Sequence, residues 1–145
     1  MKKSSSLLIT ITAFLLLLSC SDSDDDTQNA IAGSWRVASI KVSNATLVQL
    51  APPNEDITID FQTDNTFVGS TSVNQFSGDY ELENTTLTLL SFTTTEVADT
   101  QFGTAFYGAI TEAQVPNTTV AQLRFQFDSG DLILTFGDGG EMVLE

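Results

Sequence analysis

Apolar and polar residues alternate along most of the chain after residue 32. Ile57, Ile59 and Phe61, for example, are separated by single polar residues. Because successive side chains of a β-strand point to opposite faces, this alternation predicts strands with one buried and one solvated face. The pattern predicts eight strands, near residues 33–42, 56–62, 66–71, 77–83, 86–92, 120–128, 131–137 and 141–145.

Short segments rich in Gly, Asn and Asp separate several of these strands. They occur at residues 63–65, 83–84, 128–131 and 137–140. Such residues adopt the backbone conformations that tight turns require. Connections of this length predict hairpins between strands that follow one another in the chain.

One segment has a helical period instead. Phe102, Phe106 and Ile110 recur at the spacing of one helix face, which predicts an amphipathic helix from Thr100 to Gln114, ended by Pro116. Together the patterns predict a mainly β (α+β) domain. We expect a curved antiparallel sheet or a small, partly open barrel of about eight strands, with one amphipathic helix.

The first nineteen residues have the pattern of an export signal. Lys2 and Lys3 precede an apolar stretch from Leu7 to Leu18. This stretch is shorter than the roughly 20 residues that a membrane-spanning helix needs, and its length is typical of a cleaved signal. We therefore expect residues 1–19 to be absent from the mature chain.

The end of the leader, Leu17-Leu18-Ser19-Cys20, resembles the lipobox of bacterial lipoproteins. This resemblance implies that Cys20 carries a lipid on its thiol and becomes the first residue of the mature chain. Several acyl chains together anchor a protein stably to a bilayer, so the membrane is the predicted partner at Cys20.

Residues 20–30 are predicted to be a disordered acidic tether, because residues 21–29 include no large apolar side chain that could be buried in a core. Its acidic residues are Asp22, Asp24, Asp25 and Asp26. One interpretation is a solvated spacer. The other is that the run resembles the acid-rich export signal with which some bacteria send lipoproteins to the outer face of the outer membrane. We expect a lipid-anchored location in the outer membrane, with surface display if the second interpretation holds.

Charge and composition exclude several functions. The chain has a formal charge of -14, and without the leader only Arg36, Lys41 and Arg124 oppose 19 acidic residues. Such a surface repels phosphate backbones, which argues against a nucleic-acid partner. The chain has no His and its single Cys is Cys20, so His/Cys zinc sites and Ser-His-Asp or Cys-His catalysis are excluded. We predict no cofactor, no metal and no enzymatic activity.

The segment Val68–Tyr80 resembles the strand-turn-strand signature of the META domain, and the opening Gly-x-Trp, the Thr-rich run at 93–96 and the helix that follows agree with that family. The residues that carry the resemblance are Gly33, Trp35, Asn74, Phe76, Gly78 and Tyr80. The resemblance covers most of residues 31–145. The family is found in heat-induced or envelope-associated bacterial lipoproteins, so the resemblance implies a noncatalytic envelope module with a binding or stress-related role.

Two positions depart from the family. Its members commonly carry Cys beside the Asn and after the Thr-rich run, where this chain has Val73 and Ala98-Asp99. The disulfide that the resemblance would imply for some relatives is therefore absent here.

The motif residues are interpreted as structural. Gly78 between two aromatic residues indicates a kinked strand that another backbone approaches closely. Asn74 is expected to bond locally and to suit a left-handed turn conformation. Trp35 and Tyr80 are expected to fill the core.

Three functions remain open from the sequence. The leading one is a noncatalytic module that binds an unknown envelope protein or ligand through an exposed β surface. The alternative is a lipocalin-like barrel, which also opens with Gly-x-Trp and holds a small apolar ligand inside. Catalysis by paired carboxylates comes third, with Asp128 and Asp131 or Asp60 and Asp64 as the pairs.

Overall fold

The computed structural model describes residues 29–145; the predicted leader, Cys20 and Asp22 to Asp26 lie outside the described residues. The described part contains ten β-strands and one α-helix. The strands are β1 (Gly33–Lys41), β2 (Gln49–Leu50), β3 (Thr58–Phe61), β4 (Thr66–Ser70), β5 (Gln75–Glu83), β6 (Thr86–Leu89), β7 (Thr93–Thr94), β8 (Ala121–Asp128), β9 (Asp131–Phe136) and β10 (Gly140–Leu144). The helix α1 (Gln101–Glu112) lies between β7 and β8.

Eight of the strands form a closed antiparallel barrel. Their order around the wall is β1-β3-β4-β5-β6-β8-β9-β10, and β10 pairs with the second half of β1. The two-residue strands β2 and β7 add to the edges of β1 and β5. The predicted mainly β architecture of about eight strands is confirmed, and the barrel is closed rather than partly open.

Strand β1 makes this closure possible. Its first half pairs with β3, from Gly33 opposite Phe61 to Arg36 opposite Thr58. Its second half pairs with β10, and the register shifts between Val37 and Ser39. Such an irregularity bends a strand and increases its twist, which lets one strand take part in both halves of the wall.

The predicted strands are all present, with ends that differ by a few residues. β5 starts at Gln75, two residues before the predicted position, and β6 ends at Leu89 rather than at 92. The sequence did not predict β2 and β7, because two residues are too few to show an alternation.

The predicted helix is confirmed, with shorter bounds. It begins after Thr100, whose hydroxyl accepts a hydrogen bond from the Gly103 backbone N–H at 3.0 Å. This N-cap satisfies a backbone donor that has no partner within the helix. One face of α1 is buried against the barrel, and its buried side chains include Phe102, Phe106 and Ile110.

The barrel has two distinct ends. The helix end carries α1, the turn at 71–74 and the turn between β9 and β10. The opposite end carries the turns at 84–85 and 129–130, and the segment 29–32 through which the described chain enters the barrel. We call it the aromatic end, because Trp35 and Phe127 meet there. Within the described residues, no helix has the length and apolar character that crossing a bilayer requires.

Candidate functional site

Side chains fill the interior of the barrel. Phe76 lies at its centre near the helix end, with its ring centroid 5.0 Å from that of Phe106 and 5.3 Å from that of Phe92. The pocket that the core side chains line has a volume of about 20 Å³. This is room for about one water molecule, whereas pockets for small ligands measure roughly 300 to 1,000 Å³. A ligand therefore has to meet the outside of the barrel.

Asn74 is buried and joins two distant segments of the helix end. Its side-chain amide donates hydrogen bonds to the Val97 carbonyl and to Asp99 Oδ2, both at 2.8 Å. Its side-chain oxygen accepts from the Thr95 hydroxyl at 2.9 Å and from the Val97 N–H at 3.0 Å. With Thr71, these residues form what we term the Asn74 clasp.

Asp99 links the clasp to the helix. One carboxylate oxygen accepts from the Thr71 hydroxyl at 2.5 Å and from Asn74, and the other accepts from the Thr100 N–H at 2.8 Å. Partial burial alone would raise the pKa of Asp99, but hydrogen bonds from Thr71, Asn74 and Thr100 outweigh it and lower the pKa below its usual value. The charged form of Asp99 is therefore the one that the folded chain favours.

The structure differs from the expectation for Asn74. The described residues with a left-handed backbone other than Gly are Asn44, Asn65, Asn84, Asn117 and Ser129, and Asn74 is not among them. Its side-chain partners are 21 to 25 residues away rather than local. The reason is burial: a buried amide needs partners for all its polar atoms, and residues 95–99 supply them.

The clasp joins the two places where the resembling family commonly carries Cys. Val73 precedes Asn74, and Ala98 lies between Val97 and Asp99. Hydrogen bonds of Asn74 to residues 95–99 thus connect these two segments in this chain. These buried hydrogen bonds hold the turn at 71–74 and residues 95–99 together, which stabilises the helix end.

Phe76 and Gly78 lie on β5 beside the core. Phe76 is buried. A Cβ atom on Gly78 would lie 2.0 Å from the Ser91 carbonyl oxygen and 2.7 Å from the ring of Phe67. No side chain fits there without a shift of backbone, so this strand position is restricted to glycine.

Trp35 and Tyr80 lie toward the aromatic end but differ in burial. Tyr80 is fully buried, and its hydroxyl donates to the Gln62 carbonyl at 2.8 Å. Trp35 is half-buried, donates from Nε1 to the Ile31 carbonyl at 2.8 Å and packs against Phe127. The Trp35 hydrogen bond fixes the segment through which the chain enters the barrel.

Gly33 precedes that contact at the start of β1, with a φ of +140°. This conformation is rare for residues with a Cβ atom, which explains why the Gly-x-Trp motif begins with glycine in this chain.

The carboxylate pairs considered for catalysis occupy ordinary turn and surface positions. Asp128 and Asp131 face each other across the β8–β9 hairpin. Asp64 accepts hydrogen bonds from the Thr66 hydroxyl and N–H, and these bonds lower its pKa. Residues 29–145 contain no group of three or more His, Cys, Asp or Glu side chains arranged to hold a metal ion.

Two open grooves lie on the outer wall. The first, of about 660 Å³, crosses the outer faces of β3, β4 and β5 toward β7. Its lining is mostly Ser and Thr, with one carboxylate at Asp60. We call it the hydroxyl groove.

The second groove, of about 710 Å³, crosses β6, β8, β9 and β10, and we call it the arginine groove. One continuous row of directly opposed residues crosses it: Thr86, Arg124, Thr135, Glu141 and Lys41. Two of the three basic side chains in residues 29–145 therefore lie in this groove. Sequence reasoning missed the row, because its members are distant along the chain and meet only through the register of four strand pairs.

Comparison with known proteins agrees with this fold. A solved NMR structure of a protein from Burkholderia xenovorans matches with a TM-score of 0.61 and 16% identity, over 94% of this chain and 97% of that one. At this identity the likeness shows the fold alone. No curated protein matches the sequence. The family model described as the META domain matches residues 28–144. The chain belongs to the META domain family.

Proposed function

We propose that this chain is a lipid-anchored lipoprotein of the bacterial cell envelope, and that its META domain is a noncatalytic module that binds through the outer wall of the barrel. The packed interior carries the second half of this proposal, because a core pocket of about 20 Å³ leaves a ligand only the outside. The same observation argues against the lipocalin-like alternative, which needs a hollow barrel.

The leader and lipobox support the anchoring half of the proposal. Cys20 follows a short apolar stretch in the position where lipoproteins are cleaved and acylated. The described chain enters the barrel at the aromatic end, where Trp35 holds Ile31. A tether from Cys20 therefore joins the domain at its aromatic end, whereas the lining of the arginine groove includes the β9–β10 turn at the helix end.

Lipid labelling tests the anchor. Cells that express the chain are given an alkyne-tagged palmitate, and the protein is isolated and its label measured. We expect labelling and membrane retention of the wild type, and loss of both in Cys20→Ser. Ser19→Ala is the matched control, because it changes the neighbouring residue but keeps the thiol. Labelled, membrane-bound Cys20→Ser would overturn the anchoring.

The acidic tether determines, in this proposal, which face of the outer membrane displays the domain. Its acidic residues Asp22, Asp24, Asp25 and Asp26 begin two residues after the anchor. Exchanging them for Ser and Asn preserves the length and flexibility of the tether. Protease treatment of intact cells should then digest the wild type and spare the neutral variant. Equal digestion of both would leave the segment as a spacer only.

A further inference from the structure

Arg124 is an uncompensated positive charge in a strongly acidic domain. Residues 29–145 contain two other basic side chains, and Arg36 pairs with Asp56 and Glu145. Within this part of the chain, Arg124 has no acidic partner within 4.0 Å. It is exposed on the outer face of β8, in the middle of the arginine groove.

The immediate neighbours of Arg124 are neutral hydrogen-bonding groups. Thr86 and Thr135 are directly opposite it on the two flanking strands. Gln122 and Gln126 are its neighbours on the same face of β8. Opposed side chains on adjacent strands are about 5 Å apart, so both hydroxyls can reach a group bound to the guanidinium.

Carboxylates limit this neutral zone on both sides. Glu83 is opposite Thr86, and Glu141 is opposite Thr135. Each lies two strand spacings, roughly 10 Å, from Arg124 along the wall. Lys41 is opposite Glu141 on the far side of the row. The row therefore presents Arg124 between two carboxylates, and Lys41, which also has no acidic partner within 4.0 Å in residues 29–145, lies beyond Glu141 at the far end.

We propose that the arginine groove binds a polyhydroxylated ligand through a single anionic group, a sugar acid or a sugar phosphate, with the anion on Arg124. The guanidinium donates two parallel hydrogen bonds to a carboxylate or phosphate, and Thr86 and Thr135 donate to its remaining oxygens. This inference rests on the proposed binding role of the outer wall and identifies the ligand class of one of its grooves.

The sugar part of the ligand follows from the rest of the row. A pyranose ring that is held at Arg124 by its anionic substituent extends along the wall toward Glu141. The Glu141 carboxylate accepts hydrogen bonds from the ring hydroxyls, and Gln122 offers an amide at the side of the groove. The groove's lining is mainly polar, so it fits hydroxyl groups better than an acyl chain.

The negative charges around Arg124 favour ligands that carry a single anionic group. A ligand with one anion at Arg124 has neutral groups around that anion, whereas a polyanion can reach Lys41 only past Glu141 and also meets Glu83 and the net negative charge of the chain. We therefore expect a monosaccharide acid to bind better than a densely charged polymer such as heparin.

A titration followed by NMR tests the proposal. The full chain, labelled with ¹⁵N and held in a neutral detergent, is titrated separately with glucuronate, glucose 6-phosphate and glucose. We expect saturable shifts of the Thr86, Arg124 and Thr135 amides with an anionic sugar and none with glucose. The two anionic probes distinguish a carboxylate ligand from a phosphate ligand, and saturation by either one supports the proposal.

Two variants locate the site. Arg124→Gln should weaken binding roughly tenfold or more, the usual value of hydrogen bonds to a charged group. Arg36→Gln is the matched control, because it removes a cation of the same domain that already has acidic partners, and it should leave the affinity unchanged. Spectra of the free variants check that both are folded.

Three results would overturn the proposal: no saturable shift with either anionic sugar, equal shifts with glucose, or equal affinity in folded Arg124→Gln and the wild type. None of them changes the palmitate labelling at Cys20. Failure of the proposed function would show differently, because Cys20→Ser would keep its label or a fatty acid would bind inside the wild-type barrel. Failure of the ligand assignment is thus distinguishable from failure of either half of the proposed function.

Discussion

The helix end of the barrel is closed by a helix, by buried rings and by a network of directional hydrogen bonds, whereas the aromatic end is closed by rings that are partly exposed. At the helix end, Asn74 satisfies both of its polar atoms on residues 95–99. At the aromatic end, Trp35 and Phe127 lie against each other, and Phe127 is 47% exposed. The barrel therefore depends on directional hydrogen bonds and fully buried rings at one end, and on partly exposed apolar area at the other.

This difference teaches which end tolerates change. Apolar contacts are non-directional, so rings of similar size can replace one another with small losses. A buried amide with four hydrogen bonds cannot be replaced by an isostere, because each lost partner leaves a buried polar group unsatisfied. We expect substitutions at the helix end to cost more than comparable ones at the aromatic end.

The largest effect should come from the helix end. Phe106 is fully buried and contacts Phe76, Phe92 and Tyr107. Phe106→Ala should lower the free energy of unfolding by about 4 kcal/mol, the usual cost of a buried ring and the cavity that it leaves. The urea midpoint measures this, with Phe127→Ala at the aromatic end as the control. Equal losses in both variants would contradict the comparison.

The clasp should give the next largest effect. In Asn74→Asp, a carboxylate replaces the amide that donates to Asp99, so two negative groups face each other 2.8 Å apart. We expect a loss of about 3 kcal/mol in the free energy of unfolding at neutral pH. Asn54→Asp, on an exposed loop, makes the same chemical change and should cost less than about 0.5 kcal/mol. A clasp variant as stable as this control would show that the hydrogen bonds contribute little.

The pH dependence of stability should also report on the clasp. The folded chain lowers the pKa of Asp99, so its stabilisation is complete above the unfolded pKa of about 3.9 and is lost as the pH falls through the folded value. Asp99→Asn should be less stable than the wild type at pH 7, and the difference should shrink in acid. A difference that stays constant down to about pH 2, well below that unfolded pKa, would show that the charge on Asp99 is immaterial.

The smallest effect is expected at the aromatic end. Trp35→Phe keeps a ring against Phe127 but removes the hydrogen bond to Ile31. We expect a loss of about 1 kcal/mol, the typical net value of one such bond. Chemical denaturation measures this loss in the free energy of unfolding. It is followed by circular dichroism of the backbone, because the variant has lost the tryptophan fluorescence. A loss as large as that of Phe106→Ala would place the more important closure at this end.

Much of the fold could be predicted because it depends on local pattern. Two-residue alternation, turn residues such as Asn65 and Asn84, and the spacing of Phe102 and Phe106 each leave a signal within a few residues. The closure of the barrel left none. It depends on the pairing of β1 with β10 and on the register shift between Val37 and Ser39, which involve residues about a hundred positions apart.

The candidate sites were harder for the same reason. Asn74 was singled out from the sequence, but Asp99 was not, because an acidic residue before a helix is ordinary. Arg124 was noted only as one of the few cations. Its neutral neighbours come from three strands, and only their register shows that no carboxylate is next to it.

Binding of an apolar probe tests most directly the central claim that the barrel is full and that ligands meet its outer wall. Benzene and a fluorescent fatty acid are titrated into the wild type and into Phe106→Ala, which removes a ring from the core. An apolar cavity of that kind binds benzene. The account predicts no saturable binding by the wild type and binding of benzene by Phe106→Ala. Stoichiometric binding of the fatty acid inside the wild-type barrel would contradict it.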